Sequence, residues 1–245
     1  MHRNFVILFL VLFNFNGLAF SDQGQMIAES QENLLFFEDF SEDMNNWWVE
    51  GGDKVWIQHG RLYVRAEGPK NFKSNVCTVW CKSVFPSDVH IEFDVHVISS
   101  PKNVNNINFF LSYSDPSGMS MYETRQQRIT GKYEFYHQLN GNIFTFLNDV
   151  KGEGGRCSDG SSKARFRVRR CPGFLLIKEN YGYHCKQGVT YHITIIKKEN
   201  RLTYEVDGNV YLIAYDNKPL AGGLIGLRTY STFLWWDNIE IRKFN

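Results

Sequence analysis

From residue 34 onward the chain is a succession of short runs in which apolar and polar side chains alternate, each closed by Gly, Asn or Asp. A period of two sends successive side chains to opposite faces of a strand, so these runs read as strands. They fall at 34–40, on either side of His59-Gly60 within 55–64, and at 75–84, 89–98, 107–113 and 132–139. Further runs cover 143–148, 164–168, 174–178, 191–198, 202–206, 209–216, 224–229 and 233–242. His59-Gly60 and Asp207-Gly208 are hairpin signals. No long window carries a helical stripe. Many short strands without helices specify an all-β sandwich or barrel. The absence of an internal repeat disfavours a propeller. Neither Ser114–Arg128 nor Lys151–Ser162 reads as a linker, so one domain over 34–245 is expected.

Residues 129–146 draw attention because two aromatic-rich runs flank Asn140-Gly141, which predicts a hairpin. On a strand, Tyr133, Phe135, His137 and Leu139 would point one way; Lys132, Glu134, Tyr136 and Gln138 would point the other. A strand with one oily face and one face of amides and titratable groups can line a groove. On this reading His137 faces the core unless a bulge re-aims it. Nearby, Arg165, Arg167 and Arg169 alternate with Phe166 and Val168, so three guanidiniums project from one strand face.

The 245 residues are 43% hydrophobic and 16% aromatic, ample for a core, and carry a formal net charge of +1. So small a charge argues against nucleic acid as a partner through bulk electrostatics. His2-Arg3, the apolar run 5–13 and small residues near Ser21 describe a signal peptide over 1–21. A loose polar leader is expected over 22–33. The first apolar run is too short to span a bilayer and no second one approaches that length, so no membrane partner is expected. The mature protein is expected to be a secreted or periplasmic monomer. Five cysteines, at 77, 81, 157, 171 and 185, suit an oxidising compartment, but the odd number leaves at least one unpaired. Cys77 and Cys81 lie four residues apart on a predicted strand, roughly 13 Å at about 3.3 Å per residue, beyond disulfide reach. Cys157, Cys171 and Cys185 are the better candidates for pairing. The cysteine and histidine spacings fit no zinc pattern.

Three stretches carry a resemblance: Phe37-Glu38-Asp39-Phe40, the hairpin 55–64, and the close Phe233-Leu234-Trp235-Trp236-Asp237-Asn238-Ile239-Glu240-Ile241. They resemble the concanavalin A-like jelly roll, a β-sandwich of two antiparallel sheets. That superfamily includes laminarinase-type glycosidases, alginate-lyase-type polysaccharide lyases and lectin modules. The middle, from Gly131–Tyr136 through Leu139-Asn140-Gly141 and Ala164–Arg170 to Pro172-Gly173-Phe174, is similar to an exported bacterial family within it. Alginate-lyase-type members carry an inner strand of the form Lys-Ala-Gly-x-Tyr-x-Gln. Lys132, Tyr136 and Gln138 match its parity, without the alanine and glycine.

The resemblance implies a polysaccharide-acting protein, with β-elimination on an acidic, uronate-containing glycan as the specific expectation. Such a reaction must neutralise a carboxylate, remove the adjacent proton and protonate the departing oxygen. Tyr136, Gln138 and His137 are the candidate catalytic residues. Lys132, Glu134, Asn140, Arg165, Arg167 and Arg169 are the candidate substrate contacts, since guanidinium forks match carboxylates and sulfates. The alternatives are a non-catalytic carbohydrate-binding module and a glycoside hydrolase using Glu92 with Asp94, or Glu134. No catalytic cofactor is required. The resemblance also implies a structural calcium near the opening and closing strands, with Glu38 and Asp237 as ligands.

Overall fold

The alternation holds along eleven residues at Val89–Ser99, where Val89, Ile91, Phe93, Val95 and Val97 are buried and most of the residues between them are partly exposed. Repeated from strand to strand, this pattern gives two sheets that bury one face each against the other. The computed structural model describes residues 33–69 and 73–244; the signal peptide expected at 1–21 and nearly all of the leader lie outside the described residues.

The strands are β1 (Leu34–Glu38), β2 (Trp47–Gly51), β3 (Lys54–Ile57), β4 (Leu62–Arg65), β5 (Val76–Cys81), β6 (Val89–Ser99), β7 (Ile107–Ser114) and β8 (Asn140–Asn148). They continue with β9 (Ala164–Cys171), β10 (Leu175–Gly182), β11 (Thr190–Lys198), β12 (Arg201–Val206), β13 (Asn209–Tyr215), β14 (Leu224–Tyr230) and β15 (Phe233–Lys243). Sheet I has the order β13-β12-β11-β6-β15-β4-β3, with β1 added against β15; sheet II has the order β10-β9-β8-β7-β14-β5-β2. Every ladder along these two orders is antiparallel. Both sheets lie within one compact unit, residues 35–245. The expected fold class, an all-β jelly-roll sandwich of two antiparallel sheets, is the one observed. Between the sheets, Phe93 stacks on Phe109 with ring centroids 5.1 Å apart, and Phe144 meets Tyr204 edge-on. No helix among the described residues is long and apolar enough to cross a membrane.

Two of the three turn signals act as turns. His59 and Gly60 both take positive φ, 51° and 65°, and Gln58 and Arg61 exchange backbone hydrogen bonds of 3.0 and 3.1 Å. Asp207 and Gly208, at 50° and 73°, join β12 to β13 in the same way. Asn140-Gly141 does not. It opens β8, and Gly141 stands opposite Cys171 inside the sheet. A Cβ on Gly141 would fall 2.3 to 2.6 Å from the Tyr113 ring, so this glycine makes room for an aromatic neighbour rather than for a bend.

The predicted strand 132–139 is a single helical turn, α1 (Tyr133–Tyr136), in the connection from β7 to β8. Phe135 and His137 donate their N–H groups to Lys132 and Glu134, both at 3.3 Å. A near-four-residue period replaces the period of two. Tyr133 therefore meets His137, with centroids 4.6 Å apart, while Tyr136 turns down onto the sheet and Gln138 turns out to solvent. The parity assigned to this stretch from sequence is corrected accordingly.

The cysteines differ from expectation too: all five are free thiols. Cys185 donates to the Asn105 carbonyl at 3.1 Å and Cys157 to that of Tyr183 at 2.9 Å, so neither bridges the other or Cys171. Each adjacent tryptophan pair splits across its sheet. Trp47 and Trp236 enter the inter-sheet core, while Trp48 and Trp235 cover the outer faces.

Gly141→Ala is expected to lower unfolding stability by about 1–3 kcal/mol through overpacking against Tyr113. Urea denaturation of the variant beside Tyr113→Leu/Gly141→Ala checks the cause, because the double change should restore part of the loss.

Candidate functional site

The outer face of sheet II carries a second apolar cluster. Trp48, Trp80, Phe110 and Ile143 alternate with the inward Trp47, Val79, Phe109 and Phe144, so they point away from the inter-sheet core. Positive φ at Ser112 and a register shift in β7 bring Tyr113 to the same side. This cluster would lie open were it not covered by a strap, residues 115–139, which contributes Met121, Tyr136 and Leu139.

One buried carboxylate fastens the strap. Glu50 on β2 is fully buried and accepts from Trp48 Nε1 at 3.2 Å, Trp80 Nε1 at 3.0 Å and Tyr136 Oη at 2.7 Å. The guanidinium of Arg128, itself buried, lies 3.2 Å away. Burial raises the Glu50 pKa above its ordinary 4.5, while Arg128 and then Tyr136 pull it back. The Tyr136 phenol is driven far above its usual range by burial and by the adjacent Glu50.

Beside the strap the sheet face stays open in a cleft of about 500 Å³, lined by Asn75, Val76, Asn106, Asn108, Lys132, Tyr133, Glu134, Arg228 and Tyr230. Arg228 forms part of its floor. It is 2% exposed, donates from Nη1 to Thr78 Oγ1 at 2.7 Å and to the Gly131 carbonyl at 2.9 Å, and lies 4.5 Å from the Tyr133 ring centroid. Among the described residues no carboxylate stands within ion-pair distance of it. The Asn108 Nδ2 group donates to Asn106 Oδ1 at 3.0 Å, leaving its own buried Oδ1 without a partner among the described residues.

The strand registers align these residues. Arg228 stands opposite Thr78 on β5 and Asn108 on β7. Asn108 stands opposite Thr145 on β8, and Thr145 opposite Arg167 on β9. Glu50 and Glu179 close the two ends of this row, opposite Thr78 and Arg167. A single polar row thus crosses all seven strands, next to the apolar row beneath the strap.

Of the residues expected in a site, Lys132 and Glu134 reach the cleft, both exposed. Arg165, Arg167 and Arg169 share the outer face of β9 as predicted. Arg165 pairs with Asp149 at 3.2 Å and with Glu153; Arg167 lies 3.2 Å from Glu179; Arg169 stacks on Phe174 and donates to its carbonyl at 3.0 Å. Tyr136 is on the buried underside of the strap, not in the cleft. Gln138 lines a separate depression with Asp115 and Gln127. Asn140 donates to Ser114 Oγ at 3.2 Å, away from the cleft. His137 stacks on Phe174 at 3.8 Å, and burial lowers its pKa. Arg228, Asn108 and Tyr133 are the residues that sequence reasoning missed. The one available signal was the lone arginine in the apolar run 224–229.

The two residues expected to hold calcium each have protein partners. The Glu38 oxygens accept from Phe40 N–H and Trp47 Nε1, each at 3.0 Å, and Asp237 faces Arg61 at 3.7 Å. No cluster of three or more His, Cys, Asp or Glu side chains able to hold a metal occurs among the described residues. Glu92 and Asp94 lie on the outer face of sheet I. There Asp94 is hydrogen-bonded to His192 and Asn238, both at 2.8 Å, and Glu92 lies 3.7 Å from the same histidine.

This architecture is a concanavalin A-like, galectin-like jelly roll, and solved structures agree on the fold. A Bacillus subtilis protein of unknown function with a galectin-like fold matches with a TM-score of 0.69 at 17% identity, over 86% of this chain and 96% of its own. The carbohydrate binding module CBM66 from Bacillus subtilis matches with a TM-score of 0.56 at 14% identity, over 83% and 99%. A Bacillus licheniformis beta-glucanase matches with a TM-score of 0.54 at 10% identity, over 86% and 98%. No curated protein matches the chain in sequence. The family model described as "Domain of unknown function (DUF6250)" matches residues 72–244, and the chain belongs to that family.

Glu50→Gln is expected to cost about 3–5 kcal/mol, because the amide nitrogen replaces an acceptor oxygen and leaves buried donors among Trp48, Trp80, Tyr136 and Arg128 unpaired. Tyr136→Phe should cost less, about 1.5–3 kcal/mol for one hydrogen bond to a charged group. Chemical denaturation measures both. The pH dependence is distinctive. A carboxyl whose folded pKa is raised contributes most below its unfolded value and loses that contribution as pH rises through the folded pKa. The stability gap between wild type and Glu50→Gln should therefore widen as pH falls from neutrality towards the ordinary value of 4.5.

Proposed function

We propose that the chain is an exported carbohydrate-recognition domain that binds an acidic glycan in the cleft above Arg228. The observation that supports this is the state of Arg228 itself: a guanidinium 2% exposed, without a carboxylate partner among the described residues, at the floor of an open cleft. A buried cation lacking a counter-ion is costly, and a ligand carboxylate or sulfate would supply one. Asn75, Asn106 and Asn108 suit sugar hydroxyls, and Tyr133 and Tyr230 offer ring surface. Lys132 adds a cation at the same cleft, beside the carboxylate of Glu134. Export rests on the basic and apolar opening over residues 2–21.

Elimination on the same glycan is the second reading, and Tyr133 favours it. Burial pushes its phenol up to about 12, with Arg228 opposing. It therefore stays protonated at neutral pH and suits protonation of a departing oxygen. His137 packs against Tyr133 with ring centroids 4.6 Å apart but does not itself line the cleft. Hydrolysis by a carboxylate pair has less support, because Glu134 is the only carboxylate lining this cleft among the described residues.

The test is a panel of uronate-containing and sulfated polysaccharides, followed both by affinity and by ultraviolet absorbance of unsaturated products. Arg228→Gln should weaken binding by about 10- to 100-fold at low salt, with the fold checked by circular dichroism. Unchanged affinity in a folded variant would remove the cleft from the function. New absorbance with wild type, lost in Tyr133→Phe, would select elimination over binding alone.

A further inference from the structure

The polar row does not stop where the cleft does. From Arg228 it continues through Asn108 and Thr145 to Arg167, three strand spacings or about 14 Å away. Arg167 retains some exposure, with 20% of its side chain open. At its end of the row stand three arginines, Arg165, Arg167 and Arg169, and three carboxylates, Asp149, Glu153 and Glu179. Asp149 and Glu153 are both engaged by Arg165, and Arg169 has no carboxylate within ion-pair distance among the described residues. That leaves Glu179 as the carboxylate against Arg167, and Glu179 also accepts from Tyr181 Oη at 3.1 Å and lies 4.0 Å from Arg165. Two arginines, Arg228 and Arg167, are thus joined by a row of amide and hydroxyl groups. The strap flanks the Arg228 end through Lys132, Tyr133 and Glu134.

The geometry points to an acidic oligosaccharide lying across the strands of sheet II, with one anionic sugar at Arg228 and another at Arg167. This rests on the reading of the cleft as a glycan site and goes beyond it. A single uronic acid could satisfy Arg228 but could not reach Arg167. Arg167 is then a specificity-determining residue: it makes the site a reader of chain length and of a second charge, not of one terminal sugar. Partial burial and the neighbouring Arg165 lower the Arg167 pKa, with Glu179 opposing, and a second ligand anion would favour the charged guanidinium further.

Galacturonate oligomers of one to six units, titrated calorimetrically into the full chain, test this. Wild-type affinity should rise at least tenfold between the dimer and a longer oligomer able to span the row, then level off. Arg167→Gln should abolish that rise and flatten the salt dependence for long oligomers, while leaving dimer affinity unchanged within twofold. Arg228→Gln should weaken every length. If dimer and hexamer bind wild type equally, and Arg228→Gln still weakens both, the cleft stands and the extended course falls. A length dependence untouched by Arg167→Gln overturns it as well. Failure of wild type to bind any length at low salt would instead overturn the reading of the cleft on which the inference rests.

Discussion

Glu50 is the group on which the outer face of sheet II depends. A carboxylate buried this completely is tolerated only when its lone pairs are filled and its charge is met. Two indole donors from the sheet and a phenol and a guanidinium from the strap meet both requirements. The donors come from different parts of the chain, and satisfying Glu50 requires the strap to lie where it does. Its position covers Trp48, Trp80, Phe110 and Ile143, which would otherwise form an exposed apolar patch on the sheet. It also sets the edge of the cleft, because Lys132, Tyr133 and Glu134 follow directly from the turn at Gly131.

The division of labour across this face follows from register. One row is apolar and roofed; the next is polar and open at Arg228. With no counter-ion among the described residues, Arg228 is stabilised by aromatic ring faces at 4.5 to 5.7 Å and by hydrogen bonds to Thr78 and Gly131. These neutral partners hold the guanidinium in place and leave its charge unneutralised, which suits an anionic ligand. Tyr136 helps to build this environment from beneath, although it cannot touch what occupies the cleft.

Much of the fold was legible because alternation and paired left-handed turns are local signals. His59-Gly60 and Asp207-Gly208 sit at positions where the backbone needs positive φ. Asn140-Gly141 carried the same signature for another reason, the absence of a Cβ beside Tyr113, which no local reading could distinguish. The aromatic run 132–139 alternated well enough to pass for a strand, but its fate was set by Glu50, more than 80 residues earlier, which holds Tyr136 in place. The three arginines of β9 could be placed on one face from their spacing alone. Arg228 could not be linked to them, since only the pairing of β14 with β7, β7 with β8 and β8 with β9 puts it in the row of Arg167.

Side-chain resonances of Arg228 report most directly on the central claim. In a nitrogen-15 heteronuclear NMR titration with galacturonate oligomers, a sugar carboxylate in the cleft should shift the Arg228 guanidinium signal and the Asn106 and Asn108 amide signals together, saturating with one dissociation constant. Saturable shifts confined to the outer face of sheet I, around Trp235 and His96, with those three residues unmoved, would contradict it.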